Sequence, residues 1–299
     1  MRGLPAGLTA GPLSAADAAA VTAVMAACQE HDDGRADIVE ADLVAIFGRP
    51  SLNVARDTVG VRDAGALVGV GVQLAVRIAF VHVLPAYRRR GIGTALMRWS
   101  QDAARAAGAR LTAQEVSETN RGAITLLERD GYTRRWDAWL LEVVLEREPP
   151  AAALADGYAL RDFVPGRDER AAHEVIQRAF SEWPDHDPQP FDDWAAMTLG
   201  RPGFSPAQLG LAAREGEVVG AVLLMEDDDL GWIDQLAVAR EHRGRGLGKA
   251  LLTHAFARTW QRGGRRCGLG TDERTGARGL YESVGMRVRQ TYGEYAKPL

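Results

Sequence analysis

Cysteine is scarce in this sequence, and long apolar runs are absent. The 299 residues contain two cysteines, Cys28 and Cys267, which are too few and too far apart for a disulfide framework or a zinc site. We therefore expect two buried, idle thiols. No stretch approaches the roughly 20 apolar residues that span a bilayer, and the N-terminus lacks the continuous apolar core of a secretory signal. These absences predict a cytoplasmic protein with no membrane partner.

Basic charge is also limited. The chain has 36 Lys and Arg residues against 40 Asp and Glu, a formal net charge of −4 and a pI near 5.9. Nucleic-acid binders need a basic face for phosphate contacts, so this balance argues against nucleic acid as a partner. The six histidines show no metal-ligand spacing such as His-x-x-x-His, and we predict no bound metal.

The chain repeats itself once. Residues 81–97 parallel residues 236–252 at an offset of 155, and residues 126–132 parallel residues 280–286 at an offset of 154. Solenoid repeats have periods of about 20–50 residues, so this longer period indicates a duplicated domain.

The boundary between the copies falls in the Pro- and Ala-rich segment 146–153, which is typical of a linker. We predict one domain over residues 1–148 and a second over 155–299, each large enough for its own core. In the first copy the pattern predicts helices near 15–28 and 91–107 and strands near 52–62, 67–76, 78–83, 110–115 and 132–145. In the second it predicts helices near 168–180, 191–197, 246–262 and 276–284 and strands near 158–163, 209–214, 218–225, 232–238, 267–271 and 288–295. The fold class is therefore α/β (mixed α+β), twice over.

Both copies contain a strand, the pattern Arg-x-x-Gly-x-Gly, and then an amphipathic helix. Glycines permit positive φ, and the first-turn N–H groups of a helix form an anion site, for which a pyrophosphate flanked by arginines is a natural guest. A Walker loop fits less well, because Gly248-Lys249 is followed by Ala250, and the dinucleotide pattern needs different glycine spacing. A glycine-rich turn without a ligand is the alternative interpretation.

The pattern extends to apolar-x-Val-x-x-x-x-Arg-x-x-Gly-x-Gly-x-x-Leu and is followed downstream by Leu-Tyr-Glu-x-x-Gly-Met. In this extended form it resembles the GNAT superfamily of acyl-CoA N-acyltransferases. The resemblance covers both copies and implies two tandem GNAT domains, each with a central mixed sheet flanked by helices. It implies acetyl-CoA as the co-substrate and a primary amine of a small molecule as the acceptor. In the second copy it implies acetyl-CoA contacts from Leu236, Ala237, Val238, Arg243, Gly244, Arg245, Gly246, Leu247, Gly248 and Lys249. In the first copy the matching residues are Val81, His82, Val83, Arg88, Arg89, Arg90, Gly91, Ile92 and Gly93.

Acyl transfer to an amine needs an acid to protonate the departing thiolate. GNAT enzymes often use a tyrosine just before the Glu-x-x-Gly turn, and Tyr281 occupies that position. A core aromatic with a satisfied hydroxyl is the alternative. The first copy has Leu127 there, which cannot donate a proton, so the resemblance implies a catalytically degenerate first copy and a catalytic second one.

The candidate base is Asp234. On an alternating strand it would share a face with Val238 and point into the acceptor cleft, although a carboxylate satisfied at a strand start is an equal alternative. The first copy has Ala79 at the matching position, and Glu115 lies where some family members keep a base.

The acceptor remains open. The segment Glu182–Trp194 forms the acceptor side in the resembled family, and its acids and tryptophans suit a cationic amine; a solvated loop is the alternative. The tandem layout resembles that of mycothiol synthases, but the glutamate that those enzymes tend to carry is replaced here by the segment Gly231–Ile233. Antibiotic-modifying or peptide-amine acetyltransferases, a non-catalytic acyl-CoA sensor and a nucleotide binder are the other interpretations. Duplication within one chain suits a monomer, with a homodimer as the alternative.

Overall fold

The computed structural model describes residue 1, residues 3–227 and residues 229–299, which form two compact units. Unit 1 comprises Met1–Asp137, Ala196–Pro202 and Tyr292–Leu299, and unit 2 comprises Ala138–Ala195 and Gly203–Thr291. Each unit therefore receives a strand from the other half of the sequence.

Unit 1 is a mixed sheet flanked by helices. Its strands are β1 (Leu8–Gly11), β2 (Thr58–Asp63), β3 (Ala66–Gln73), β4 (Ala79–Val83), β5 (Leu111–Ser117) and the start of β6 (Thr133–Val144). Its helices are α1 (Ala18–Asp33), α2 (Glu40–Phe47), α3 (Val54–Asp57), α4 (Ile92–Ala106) and α5 (Arg121–Arg129). Strands β1 to β4 are antiparallel neighbours, and a parallel bridge joins Ile78 to Ala113 of β5. The segment Tyr292–Pro298 of the last strand pairs with β5.

Unit 2 repeats this plan. Its strands are β7 (Tyr158–Asp162), β8 (Leu209–Arg214), β9 (Glu217–Asp227), β10 (Leu230–Val238), β11 (Arg266–Asp272) and the first part of β12 (Arg287–Pro298). Its helices are α6 (Glu169–Phe180), the start of α7 (Phe191–Thr198), α8 (Leu247–Gln261) and α9 (Arg278–Ser283). Strands β7 to β10 are antiparallel neighbours, β10 and β11 are parallel, and Ala138–Val144 of β6 pairs with β11.

Helix α8 shows why the apolar pattern becomes a helix against the sheet. Leu247, Leu251 and Ala255 recur at a spacing of four and are each at most 1% exposed. They join the main apolar core of unit 2, which also contains Ile233 and Tyr281. Burying each leucine contributes about 1.5–3 kcal/mol. This core fixes the strand and the helix on either side of the glycine loop.

The mixed α/β fold class is confirmed, and both thiols are buried, as predicted. The strand predicted over 52–62 is wrong in its first part, because residues 54–57 form a helical turn. Asn53 accepts a hydrogen bond from the Arg56 N–H and so caps that turn. Strand β1 and helix α2 were not predicted, since their short apolar stretches carry little periodic signal. In the described part of the chain, no helix is long and apolar enough to cross a bilayer.

Candidate active site

The glycine loop of unit 2 leads into the N-terminus of α8. Gly244 has φ 74° and Gly246, the N-cap, has φ 82°, so both lie in the left-handed region that favours glycine. A Cβ at either position would meet nothing within 4 Å. Within the described residues no side chain caps the helix. Its first-turn N–H groups thus have no capping side chain, and this arrangement suits an anionic ligand.

The last glycine of the motif has a different task. A Cβ on Gly248 would lie 3.1 Å from Leu280 Cδ2, and one on Gly93 would lie 3.3 Å from Leu126 Cδ2. The two helices in each unit thus approach closely at this point. The third glycine serves helix packing in both units.

Unit 1 keeps the loop conformation at an energetic cost. Arg89 stands where unit 2 has Gly244 and adopts φ 64°, followed by Gly91 at φ 89°. A non-glycine residue in this region is strained by about 1–2 kcal/mol. The Arg90 guanidinium lies 4.6 Å from the ring centroid of Tyr87. The first copy therefore retains a phosphate-loop shape.

The central strands of unit 2 diverge beside the loop. Strand β10 pairs with β11 over Leu230–Ile233. Its pairing with β9 continues to Val238, with a register shift between Ile233 and Gln235. In unit 1, the isolated bridge at Ile78 is likewise where β4 and β5 meet. The opening between diverging strands leaves backbone groups available to an extended ligand.

The register shift places Asp234 at a β-bulge. The same core contains Ile233 before the bulge and Leu236 and Val238 after it. The core-facing side chains therefore change from odd-numbered to even-numbered positions across the bulge. The prediction that Asp234 and Val238 share a face is therefore wrong. Asp234 is exposed, and the next residue, Gln235, accepts a hydrogen bond from Trp194 Nε1 at 3.1 Å.

Tyr281 lies on α9 with 8% of its surface exposed. Burial raises the pKa of its hydroxyl, more than the neighbouring Thr271 at the end of β11 lowers it. The hydroxyl is therefore protonated at neutral pH, as a general acid must be. The counterpart in unit 1, Leu127, is 2% exposed in an apolar cluster.

An aromatic segment follows α6 in unit 2. The rings of Phe180 and Trp183 stack with centroids 4.3 Å apart, and His186 lies edge-on to both. At the far end of this segment, the Gln189 N–H donates to Gln177 Oε1 at 2.9 Å. Trp194 is fully buried, and its bond to Gln235 ties this region to the bulge. The contact of Gln235 with Trp194 could not be predicted from the sequence, because nothing in the residue pattern marks a bulge.

The remaining predicted residues divide by exposure. Arg245 and Lys249 in unit 2 and Arg89 and Arg90 in unit 1 are exposed beside their loops. His82 on β4 is partly buried, and desolvation lowers its pKa to about 4.

Each unit thus has a bulged or bridged strand opening and an uncapped glycine loop, and unit 2 also has a buried tyrosine. An acetyltransferase family model matches residues 52–132 and 169–286, which contain these features. The chain belongs to the acetyltransferase (GNAT) family. A mycothiol acetyltransferase of Thermobispora bispora is 34% identical over 216 residues, covering 68% of this chain and 70% of the relative. A mycothiol acetyltransferase of Sanguibacter keddieii is 30% identical and covers 83% and 82%.

Solved GNAT structures agree. A GCN5-related N-acetyltransferase from Sphaerobacter thermophilus is 30% identical with a TM-score of 0.78, covering 99% of this chain and 96% of that one. A tandem GNAT protein from the clavulanic acid biosynthesis pathway, at 19% identity and a TM-score of 0.75, shares the fold over 97% of this chain and 98% of its own. The protein is thus an acyl-CoA-dependent N-acetyltransferase with two GNAT regions, which confirms the resemblance seen in the sequence.

Proposed function

We propose that unit 2 transfers the acetyl group of acetyl-CoA directly to a primary amine of a small molecule in a ternary complex. The amine nitrogen attacks the thioester carbonyl, the N–C bond forms and the C–S bond breaks. Tyr281 donates its proton to the departing thiolate sulfur. The observation that carries this proposal is a protonated, buried hydroxyl in the unit whose strand opening and phosphate loop are both intact.

In this proposal the backbone of Leu236–Val238 binds the pantetheine arm of acetyl-CoA, and the amides at the start of α8 bind its pyrophosphate. Arg245 and Lys249 supply the positive charge. The matching strand and loop of unit 1 hold a second acetyl-CoA without turnover, since Leu127 has no proton to give. The loop strain at Arg89 supports retention of this second site.

We assign the base to Asp234, acting on the amine directly or through a water. Its support is the exposed position at the bulge, beside the Gln235–Trp194 contact that borders the aromatic segment. The domains predicted at 1–148 and 155–299 are proposed as the degenerate and the catalytic copy.

The names of the relatives make desacetyl mycothiol the first acceptor to test. Purified protein is incubated with acetyl-CoA and, separately, desacetyl mycothiol, glucosamine, an aminoglycoside or a peptide with a free N-terminus. We expect one amine to be acetylated with an equal amount of free CoA released. Binding of CoA without turnover of any of these amines would favour the alternative function, a non-catalytic acyl-CoA-binding protein.

A further inference from the structure

The leading arginine of the Arg-x-x-Gly-x-Gly motif turns away from the helix that follows it. Arg243 Nε donates to the Val238 carbonyl at 3.0 Å, back at the end of β10. Its Nη1 and Nη2 atoms donate to the two carboxylate oxygens of Glu182 at 2.8 and 3.1 Å. A bidentate partner fixes the plane of the guanidinium and neutralises its charge. Three of its five N–H groups are thus committed to protein acceptors.

Unit 1 contains the same arrangement with a different acid. Arg88 Nε donates to the Val83 carbonyl at 3.1 Å. Its Nη1 and Nη2 donate to the carboxylate of Asp32 at 2.6 and 2.8 Å. Asp32 lies near the end of α1, and Glu182 lies just after α6, the equivalent helix of the repeat. An ion pair that recurs in both copies with Asp exchanged for Glu points to a shared task.

We propose that Arg243 and Glu182 are positioning residues that hold the acceptor-side segment 182–189 against the end of the cofactor strand β10. The proposal rests on the function proposed above and reassigns Arg243, which the resemblance had placed among the acetyl-CoA contacts. The charge at the loop then comes from Arg245 and Lys249, for which the described residues show no ion pair.

The rest of the segment is held in a way that fits this task. Arg274 Nη1 donates to the Pro184 carbonyl at 3.1 Å, and Asp272 holds the same guanidinium through Nε and Nη2. Arg274 follows β11, and Asp272 is the last residue of that strand. The segment is therefore fastened at its start to β10 and in its middle to the residues after β11.

Unit 1 shows a tighter version of the clamp. Its arginine and aspartate side chains are 23% and 11% exposed, against 42% and 32% for Arg243 and Glu182. Asn120 Nδ2 also donates to Asp32 Oδ2 at 3.0 Å, and Thr119 Oγ1 donates to the Asp32 carbonyl at 2.6 Å. The pair in unit 2 is the more exposed of the two, and an exposed ion pair contributes less stability than a buried, hydrogen-bonded one.

The test is Glu182→Gln, which removes the charge while leaving the Arg243–Val238 bond intact. We expect amide hydrogen exchange in residues 182–189 to become about three- to tenfold faster. The CoA dissociation constant in calorimetry should stay within about twofold. With the amine that the enzyme is found to acetylate, the KM of that amine should rise about fivefold. The kcat and the KM of acetyl-CoA should stay within about twofold. Arg243→Gln and the double variant should show a non-additive effect on exchange.

Lys249→Gln is the control, with the opposite pattern: weaker CoA binding and unchanged exchange in residues 182–189. Unchanged exchange in Glu182→Gln would overturn the clamp. So would an approximately tenfold loss of CoA affinity in Arg243→Gln that Glu182→Gln does not share. The exchange and calorimetric readouts need no turnover, so a clamp that fails is distinguishable from an enzyme without the proposed activity.

Discussion

Gly246→Ala separates backbone strain from steric clash at the phosphate loop. Gly246 has φ 82°, and an added Cβ would meet nothing within 4 Å. The whole effect therefore comes from the left-handed backbone, which is strained by about 1–2 kcal/mol in a residue with a Cβ. If CoA binding needs this loop conformation and the free protein relaxes out of it, the affinity of the CoA site proposed for unit 2 falls about 5- to 30-fold.

The assay is calorimetric titration with CoA, with thermal unfolding measured alongside. Gly248→Ala is the matched control: its Cβ lies 3.1 Å from Leu280 Cδ2, the far end of a flexible side chain that can shift. We expect Gly248→Ala to keep CoA affinity within about twofold, at a stability cost below about 1 kcal/mol. Unchanged affinity in Gly246→Ala, or an equal loss in both variants, would refute the assignment of the loop amides to phosphate binding.

Two further predictions concern unit 1. Burial lowers the pKa of His82 from 6.5 to about 4, so the folded state resists protonation of this side chain. The stability that the neutral side chain contributes above pH 6.5 is therefore lost as the pH falls towards 4, by at most about 3 kcal/mol. His82→Gln should flatten the fall of Tm between pH 6.5 and 4, whereas substitution of the exposed His31 should leave that fall steep. A wild-type slope in His82→Gln would contradict the assignment of this pH dependence to His82. Glu294, with a side chain 6% exposed, faces Arg77 at 3.3 Å and Arg135 at 3.6 Å. Glu294→Gln removes a buried carboxylate charge that faces two guanidinium groups, so it should cost about 3 kcal/mol in chemical denaturation. Glu118→Gln, at an exposed pair, should cost less than about 1 kcal/mol, and equal losses in the two variants would contradict the account.

The repeat explains why so much of the fold could be predicted. Two copies of a strand, loop and helix reinforced each other, and the helices predicted near 91–107 and 246–262 are observed as Ile92–Ala106 and Leu247–Gln261. The division of β6 and β12 between the two units could not be predicted. The alternation of side chains along a strand indicates which residues face a core, but it does not indicate which sheet the strand joins.

The site was predicted less completely. Tyr281 and the loop glycines follow local motifs, so residue identity and spacing predicted their places on α9 and before α8, while their roles stay predictions. The face of Asp234 depended on regular alternation, and the bulge that breaks it arises from pairing with β9 rather than from β10 alone. The partners of Arg88 and Arg243 lie 56 and 61 residues away in sequence, at distances where spacing carries no information.

The measurement that tests the central claim most directly is the kcat of Tyr281→Phe with the amine that the wild-type enzyme acetylates. Phenylalanine keeps the buried ring and removes the proton that the thiolate needs. We predict a fall in kcat of about 10²- to 10⁴-fold with CoA affinity retained. A kcat equal to that of the wild type would contradict the assignment of the chemistry to Tyr281 of unit 2.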